Sequence, residues 1–407
     1  MARESQRSAQ KQQANLPPAG TNLARRICFS MLLKLVALAA LAAAAPRRLG
    51  RPPLSSPRSA PPADELSARA AAAGLVVEPL GALGAKVSGV DLSAPLGAAT
   101  RELLAALWNR HQVLVFRDQR LSEERLLQVA RGFGSPKPAG SRGYYMRAGN
   151  PHGSGRVSPF PEVSVMSNLD ADGRPASVTG GHGSQHVDWH QDDSYTNRPA
   201  QGALLYNVLH PVDGGGNTSF CDLYAAYETL PPAVKARLDA GLHLVHDHSR
   251  NSVGHVRPGL ALPARRADVA GPAHPLVITH PLTGRRALHL GRKQPRPSSY
   301  VVEAPGADGD ALFDYLWAHA TRDEFVWTYS DWRPGDLVVW DNLAVMHARS
   351  SVDHTQRREM LRVLLRGPEG GLVGPAGIRT EDSDANCKAD ASDVAARRGE
   401  AAASVVA

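Results

Sequence analysis

The residues most suited to chemistry are a histidine and an aspartate two positions apart, His190 and Asp192. On an extended backbone, side chains two apart point to the same face, so both can approach one metal ion from one side. A second imidazole would complete the two-histidine, one-carboxylate face that binds Fe(II) in non-haem oxygenases and leaves the opposite positions open. His347 is the candidate third ligand, because it follows the apolar segment 337–340 and precedes a pair of arginines.

That pair, Arg358 and Arg362, lies four residues apart. An extended strand would place both guanidinium groups on one face. A planar guanidinium binds a carboxylate through two parallel hydrogen bonds, which a lysine cannot do. The pair therefore predicts a cationic surface beside the metal, suited to a co-substrate that carries a carboxylate.

The positive charge of the chain is concentrated in its first part. The chain has 46 basic and 39 acidic residues. Residues 1–63 contain ten of the basic residues and one of the acidic residues, so the rest of the chain has 36 basic and 38 acidic residues. The remainder has no net positive charge, so the composition does not favour a nucleic-acid partner. The three cysteines are too few and too scattered for a disulfide framework or a thiolate zinc site.

Residues 1–63 have the composition of a targeting leader. Residues 1–27 are polar and basic, and the apolar run 35–45 is too short to span a bilayer comfortably. Small residues follow, and 46–63 is rich in Pro, Ser and Arg without an acid, so a signal peptide followed by a transit stretch is predicted. This predicts delivery to a plastid and no stable membrane span in the mature chain. A signal anchor, a secretory route, or a misassigned start on a cytoplasmic enzyme stay open.

The rest of the chain divides into a predicted domain at 64–366 and a tail at 367–407, which has few large apolar residues and is predicted to be disordered. The long Gly-, Pro- and Ser-rich segment 134–183 is predicted to be a functional lid. Short apolar segments bounded by turn residues predict a protein that is mostly β with flanking helices. The main predicted strands are 113–116, 161–166, 202–210, 218–221, 242–246, 276–279, 286–290, 337–340 and 360–365, and the main predicted helices are 98–110, 123–131, 224–240 and 308–321.

Over residues 77–367 the chain resembles the TauD/TfdA family, which includes taurine dioxygenase and chlorophenoxyacetate dioxygenase. The resemblance is carried by blocks in the family's order. They are 78–81, 87–92, 110–119, 189–192, 215–218, 279–285 and 335–342, together with His347 and the arginine pair. Trp189 and the Ser-Tyr pair after Asp193 match the family pattern, which favours His190 and Asp192 over the earlier triplet of His186 and Asp188.

The resemblance implies a double-stranded β-helix, a cupin-like jelly roll, with Fe(II) as the metal, 2-oxoglutarate as co-substrate and dioxygen as oxidant. It assigns the metal to His190, Asp192 and His347.

The same resemblance places the distal carboxylate of 2-oxoglutarate on Arg358 and Thr218. Arg362 stands where the family commonly meets an anionic group of the primary substrate. The alternative for Arg362 is a structural partner of the co-substrate site.

The implied reaction is hydroxylation of a small, anionic organic substrate of sulfonate or carboxylate type, with succinate and CO2 as co-products. A desaturase on the same site, or a catalytically silent jelly roll that binds a small anion, are the alternatives. One departure speaks against taurine itself. The family's sulfonate-binding histidine, five residues after a Phe-Gly pair, is absent after Phe133-Gly134. Lys137, Tyr144, Tyr145 and Asn168 are other candidates for substrate contacts, and a homo-oligomer stays open.

Overall fold

A computed structural model describes residues 65–140, 157–170, 172–175, 184–212, 215–250, 256, 260–304 and 306–381. The predicted leader, half of the predicted lid and the end of the predicted tail lie outside these residues. No helix within the described ranges is both long and apolar enough to cross a bilayer.

The helices alternate with groups of strands along the chain. The first long helix buries Leu103, Leu104, Leu107 and Trp108, a stripe at helical spacing. The next begins at a capping serine, since Ser122 Oγ accepts a hydrogen bond from the Arg125 N–H at 3.1 Å. The six helices of the described ranges are α1 (Glu65–Ala72), α2 (Ala98–His111), α3 (Glu123–Ala130), α4 (Leu223–Glu228), α5 (Pro232–Asp239) and α6 (Ala307–Ala320).

Eight of the 17 strands within the described residues belong to one large sheet. Its strand order is β1-β2-β3-β15-β7-β17-β4, and β5 also pairs with β17. All its pairings are antiparallel except that of β2 with β3. The strands are β1 (Val76–Pro79), β2 (Ala85–Ser88), β3 (Val113–Phe116), β4 (Pro136–Lys137), β5 (Val163–Ser167), β7 (Gly202–Leu209), β15 (Leu337–Asp341) and β17 (Glu359–Leu365).

A second, four-stranded sheet has the order β14-β8-β16-β6. Its strands are β6 (Val187–His190), β8 (Thr218–Asp222), β14 (Val326–Tyr329) and β16 (Val345–Arg349). Two small antiparallel groups complete the structure, β9 (His243–His246) with β10 (Ala273–Pro275) and β13 (Ser299–Val301), and β11 (Val277–Thr279) with β12 (Arg286–Leu288). The last pair corresponds to the predicted strands 276–279 and 286–290.

The central strand β15 shows how the two sheets share a core. Leu337 and Val339 pack into a cluster with helices α2 and α3, whereas Val338 and Trp340 pack with residues of the second sheet, including Phe220. Side chains alternate between faces along a strand, so β15 is covered on both sides. The large sheet thus packs against helices on one face and against the second sheet on the other. This is the predicted mostly β fold with a jelly-roll core.

The structure differs from the sequence prediction in several elements. The sequence does not predict the short strands β4, β10, β13 and β14. The predicted helix 224–240 is two helices, because α4 ends at Glu228 and α5 starts again at Pro232, which occupies the first helical position. The predicted tail is structured over 367–381, where Leu372 is buried and Val373 forms a bridge with Arg379. Strand β16, which carries His347, was missed because its polar residues interrupt the apolar pattern.

Candidate metal and co-substrate site

The two histidines are brought together by the pairing of β6 with β16. His190 and His347 are directly opposed residues of these antiparallel strands. Opposed residues point to the same face of a sheet, and the two ring centroids are 4.1 Å apart. Both side chains face the space between the two sheets and are buried.

Asp192 lies two residues beyond the end of β6, and its backbone is held by Asn342. The Asn342 Oδ1 accepts from the Asp192 N–H at 2.7 Å, and Asn342 Nδ2 donates to the Asp192 carbonyl at 3.0 Å. Asn342 directly follows β15 of the large sheet, whereas Asp192 follows β6 of the second sheet. The large sheet therefore fixes the position of the Asp192 carboxylate. The Asp192 side chain is 1 % exposed.

The three side chains form a compact ligand set. His190 Nε2 lies 3.8 Å from Asp192 Oδ1, and His347 Nε2 lies 3.8 Å from Asp192 Oδ2. One ligand atom from each residue lies within 4.8 Å of the others. Bonds of about 2.0–2.2 Å at right angles would place ligand atoms ~3 Å apart, so small side-chain movements suffice for a shared metal ion. Two imidazoles and a carboxylate on one face fit non-haem Fe(II).

The hydrogen bonding and protonation of the imidazoles also fit metal binding. The Nδ1 of His190 lies 2.8 Å from the Asp188 carbonyl. A carbonyl only accepts, so Nδ1 carries the hydrogen and Nε2 presents its lone pair towards Asp192 and His347. Burial, followed by the nearby cations Arg362 and Arg292, lowers the pKa of His347 to about 3. Burial and the His347 charge lower the pKa of His190 well below its usual value, so both rings are neutral ligands at pH 7.

Arg362 contacts the metal-ligand carboxylate itself. Its Nη1 lies 3.1 Å from Asp192 Oδ1 and 3.2 Å from Asp192 Oδ2. Strand β17 belongs to the large sheet, and the Arg362 side chain extends from it towards the second sheet, as those of Met360 and Leu364 do.

Arg358 lies just before β17 and is buried at 1 % exposure. Within the described part of the chain, its Nε and Nη1 have no hydrogen-bond partner, and its Nη2 donates only to the Met360 Sδ, a weak acceptor. Burial, followed by the Arg349 charge, lowers the pKa of Arg358 well below its usual value. A buried cation whose donors point into the interior fits an anionic ligand that completes them.

The backbone of Arg358 is held by Asn168, at the end of β5. The Asn168 Oδ1 accepts from the Arg358 N–H at 2.8 Å, and the Asn168 N–H donates to the Arg358 carbonyl at 3.1 Å. Asn168 therefore positions an arginine. No local signal near Asn168 indicates this role, because its partner is 190 residues away in the chain.

A glycine turn lies against the Arg358 side chain. Gly216 has a φ of +64°, and a Cβ there would lie 2.9 Å from Val352 Cγ2 and 3.4 Å from Arg358 Nε. Thr218 begins β8 two residues later, is buried, and opposes Arg349 on β16. The predicted co-substrate residues Thr218 and Arg358 thus both border the interior near this turn.

The structure also describes some of the other sequence candidates. The earlier triplet is exposed, with His186 Nε2 3.0 Å from Asp188 Oδ1 and side chains 59 % and 74 % exposed. Lys137 Nζ forms an ion pair with Asp193 Oδ2 at 2.5 Å. Tyr144 and Tyr145 lie outside the described residues.

Comparison with known proteins is consistent with this geometry. Residues 76–364 match the model of the taurine catabolism dioxygenase TauD, TfdA family. The alpha-ketoglutarate-dependent 2,4-dichlorophenoxyacetate dioxygenase of Cupriavidus pinatubonensis is 34 % identical over 296 residues, which cover 71 % of this chain and 96 % of that relative.

Two solved structures have the same fold. A taurine dioxygenase from Burkholderia xenovorans has a TM-score of 0.57 at 30 % identity, covering 75 % of this chain and 95 % of that one. AAD-2 in complex with Mn(II) and N-oxalylglycine has a TM-score of 0.57 at 27 % identity, covering 72 % and 98 %. With a matching family model over most of its length and a buried His-Asp-His ligand set, the chain belongs to the TauD, TfdA family and is an Fe(II)- and alpha-ketoglutarate-dependent dioxygenase.

Proposed function

We propose that this enzyme hydroxylates a small, anionic organic substrate and converts 2-oxoglutarate to succinate and CO2. The observation that carries the proposal is a buried arginine, Arg358, whose Nε and Nη1 have no partner among the described residues, in a protein that also buries a two-histidine, one-carboxylate set.

His190 Nε2, His347 Nε2 and a carboxylate oxygen of Asp192 would hold Fe(II). When bound, Fe(II) supplies the redox chemistry that activates dioxygen. The protein's part is to keep both imidazoles neutral through burial and to leave the opposite side of the ligand set for co-substrate and oxidant.

Arg358 and Thr218 would bind the distal carboxylate of 2-oxoglutarate. A carboxylate placed against the Nε and Nη1 of Arg358 would satisfy donors that otherwise stay buried without a partner among the described residues. The Thr218 hydroxyl would add a neutral donor from the opposite sheet.

An anionic primary substrate is supported by the cations around the ligand set and by the relatives. Arg362 contacts the Asp192 carboxylate. The names of the 2,4-dichlorophenoxyacetate dioxygenase and the taurine dioxygenase indicate that these relatives act on a carboxylate and on a sulfonate. The missing histidine after Phe133-Gly134 argues for an anion other than taurine.

The test measures succinate released by the iron-loaded enzyme when single anions are added. Small sulfonates, sulfate esters and aryloxy carboxylates form the panel, with neutral alcohols of the same carbon skeletons as controls. We expect at least one anion to stimulate iron-dependent succinate release above the substrate-free rate. Succinate release that does not depend on iron, or its complete absence, would favour the silent binding protein.

We also propose that residues 1–63 direct the enzyme domain to a plastid. Support comes from the ten basic residues against one acidic residue in this segment and from its short apolar run. A fluorescent reporter carrying residues 1–63 should leave the cytosol in a plastid-bearing cell, whereas a diffuse cytosolic signal would contradict the proposal.

A further inference from the structure

A third cationic residue lies in line with the two histidines. Arg292, which follows β12, forms an isolated antiparallel bridge with His190, and His190 opposes His347 on its other side. Directly opposed residues point to the same face, so Arg292 extends from the same face as both imidazoles. Its backbone lies on the order of 5 Å from that of His190, within reach of any group beside the metal ligands.

The segment that carries Arg292 is fixed from both sides. Gln191 Oε1 accepts from the Leu290 and Gly291 N–H groups at 3.1 and 3.0 Å, and the Gln191 N–H donates to the Gly291 carbonyl at 2.8 Å. On the other side, the Arg292 N–H donates to His246 Nε2 at 3.1 Å. Gly291 has a φ of +57°, and a Cβ there would lie 1.6 Å from the His246 ring, so only glycine allows this approach.

The side chain of Arg292 is largely buried. It is 11 % exposed, and its Nη2 lies 3.9 Å from the carboxylate of Asp188, which is itself 74 % exposed. Asp188 lies on β6, the strand that ends at His190, so this contact places the guanidinium beside the ligand-bearing strand.

Arg292 and Arg358 lie on opposite sides of the ligand set. The strand order of the second sheet is β8-β16-β6, and the segment of Arg292 pairs with the outer edge of β6. Arg358 lies against Gly216, which leads into β8 at the other side. A co-substrate that extends from the metal to Arg358 would therefore leave the Arg292 side for a second ligand.

We propose that Arg292 binds the anionic group of the primary substrate and is a specificity-determining residue of this enzyme. The inference rests on the proposed function and concerns a residue other than Arg358 and Arg362. Arg362 already uses its Nη1 on the metal-ligand carboxylate, so Arg292 supplies a separate positive charge on the substrate side.

The test compares Arg292→Gln and Arg292→Lys with the wild type and with Lys293→Gln. Lys293 is a matched control, since it is the next residue, is 43 % exposed and pairs with Asp314 at 2.8 Å. Calorimetry on the anaerobic enzyme loaded with Fe(II) and 2-oxoglutarate would measure binding of 2,4-dichlorophenoxyacetate, taurine and hexyl sulfate. The neutral probe is 2-(2,4-dichlorophenoxy)ethanol.

We expect Arg292→Gln to weaken the best-bound anion by about 30-fold or more, because a desolvated charge pair is lost. Arg292→Lys should retain part of the affinity, since the charge stays but the two-pronged contact does not. The neutral alcohol, the affinity for 2-oxoglutarate and the Lys293→Gln enzyme should be unaffected.

Equal weakening of anion and alcohol would assign Arg292 to packing and overturn the proposal. Wild-type enzyme that binds none of the three anions, yet releases succinate in an iron-dependent way, would also overturn it while leaving the oxygenase assignment intact. Failure to bind iron or release succinate would instead count against the proposed function. If Arg292→Gln does not fold, the anion-to-alcohol affinity ratio of Arg292→Lys decides, and an unchanged ratio contradicts the proposal.

Discussion

His190 and His347 are directly opposed residues of antiparallel strands, with ring centroids 4.1 Å apart, although 157 positions separate them in the chain. A shift of one residue in the pairing of β6 with β16 would turn one imidazole to the other face of the sheet. The metal-ligand geometry is therefore a property of strand register, and disturbing the register should abolish metal binding even when all three ligands are retained.

Asp192→Ala should abolish succinate formation and lower iron content while the fold persists. The fold should persist because Asn342 holds the backbone of residue 192, which alanine retains. Iron content after dialysis, succinate formation and the thermal melting temperature are the measurements. Asp188→Ala is the matched control, since its exposed side chain belongs to the earlier triplet and should leave iron content unchanged. Full iron occupancy in Asp192→Ala would contradict the ligand assignment.

Arg358→Gln should raise the KM for 2-oxoglutarate by about 30-fold or more, because a buried carboxylate loses its charged partner. The same change removes a buried cation, so the melting temperature of the ligand-free enzyme should stay equal or rise. Arg357→Gln, at the exposed neighbouring position, is the control for both measurements. A lower melting temperature together with an unchanged KM would mean that Arg358 is a structural residue.

Arg362→Leu should weaken Fe(II) binding by roughly 10- to 100-fold, as loss of a group that orients a ligating carboxylate generally does. Metal titration in the absence of any primary substrate measures this effect. If the iron affinity stays the same and only the apparent affinity for an anionic substrate falls, Arg362 is the substrate contact that the family resemblance implies.

Gly216→Ala should raise the KM for 2-oxoglutarate, because its Cβ would press on Val352 and lie against Arg358 Nε. Gly284→Ala separates backbone strain from this contact. Gly284 has a similar φ of +67° but has open space around its Cβ position. Both variants should lose about 1 kcal/mol of stability through the positive φ, and only Gly216→Ala should change the KM. Equal KM values in the two variants would show that the turn does not support the co-substrate site.

Acid should destabilise the enzyme through buried histidines outside the ligand set. Burial is the main cause that lowers the pKa of His274 to about 3, whereas an unfolded histidine has a pKa near 6.5. The folded state therefore keeps His274 neutral, and its contribution to stability is complete above pH 6.5 and is lost as the pH falls towards 3.

Denaturant unfolding between pH 7 and pH 4.5, with a chelator present, measures this dependence. As the pH falls, the wild-type enzyme should lose free energy of unfolding. His274→Gln should reduce this loss by about 1.4 kcal/mol per pH unit, the contribution of one proton, over the acidic part of this range. A slope equal to that of the wild type would show that His274 is not among the groups that acid protonates on unfolding.

The ligand types and the core strands follow from local sequence. The spacing of His190 and Asp192, the position of His347, and the apolar runs of β3, β7, β15 and β17 are all patterns that a short window contains. Ser122 at the start of α3 and the turn between β11 and β12 are equally local. The mostly β fold and the candidate ligands could therefore be predicted from local patterns, whereas the jelly-roll architecture and the assignment of the three ligands follow from the resemblance to the TauD/TfdA family.

Only the tertiary structure decides the contacts between residues that are far apart in the chain. Asn168 holds the backbone of Arg358, Asn342 holds Asp192, and Arg292 lines up with His190 through a bridge outside the named strands. The hydrogen-bonding capacity of an asparagine or arginine is the same at every position. Its partner depends on strand register and on how the two sheets stack, and both are set by burial of the whole core rather than by any local pattern.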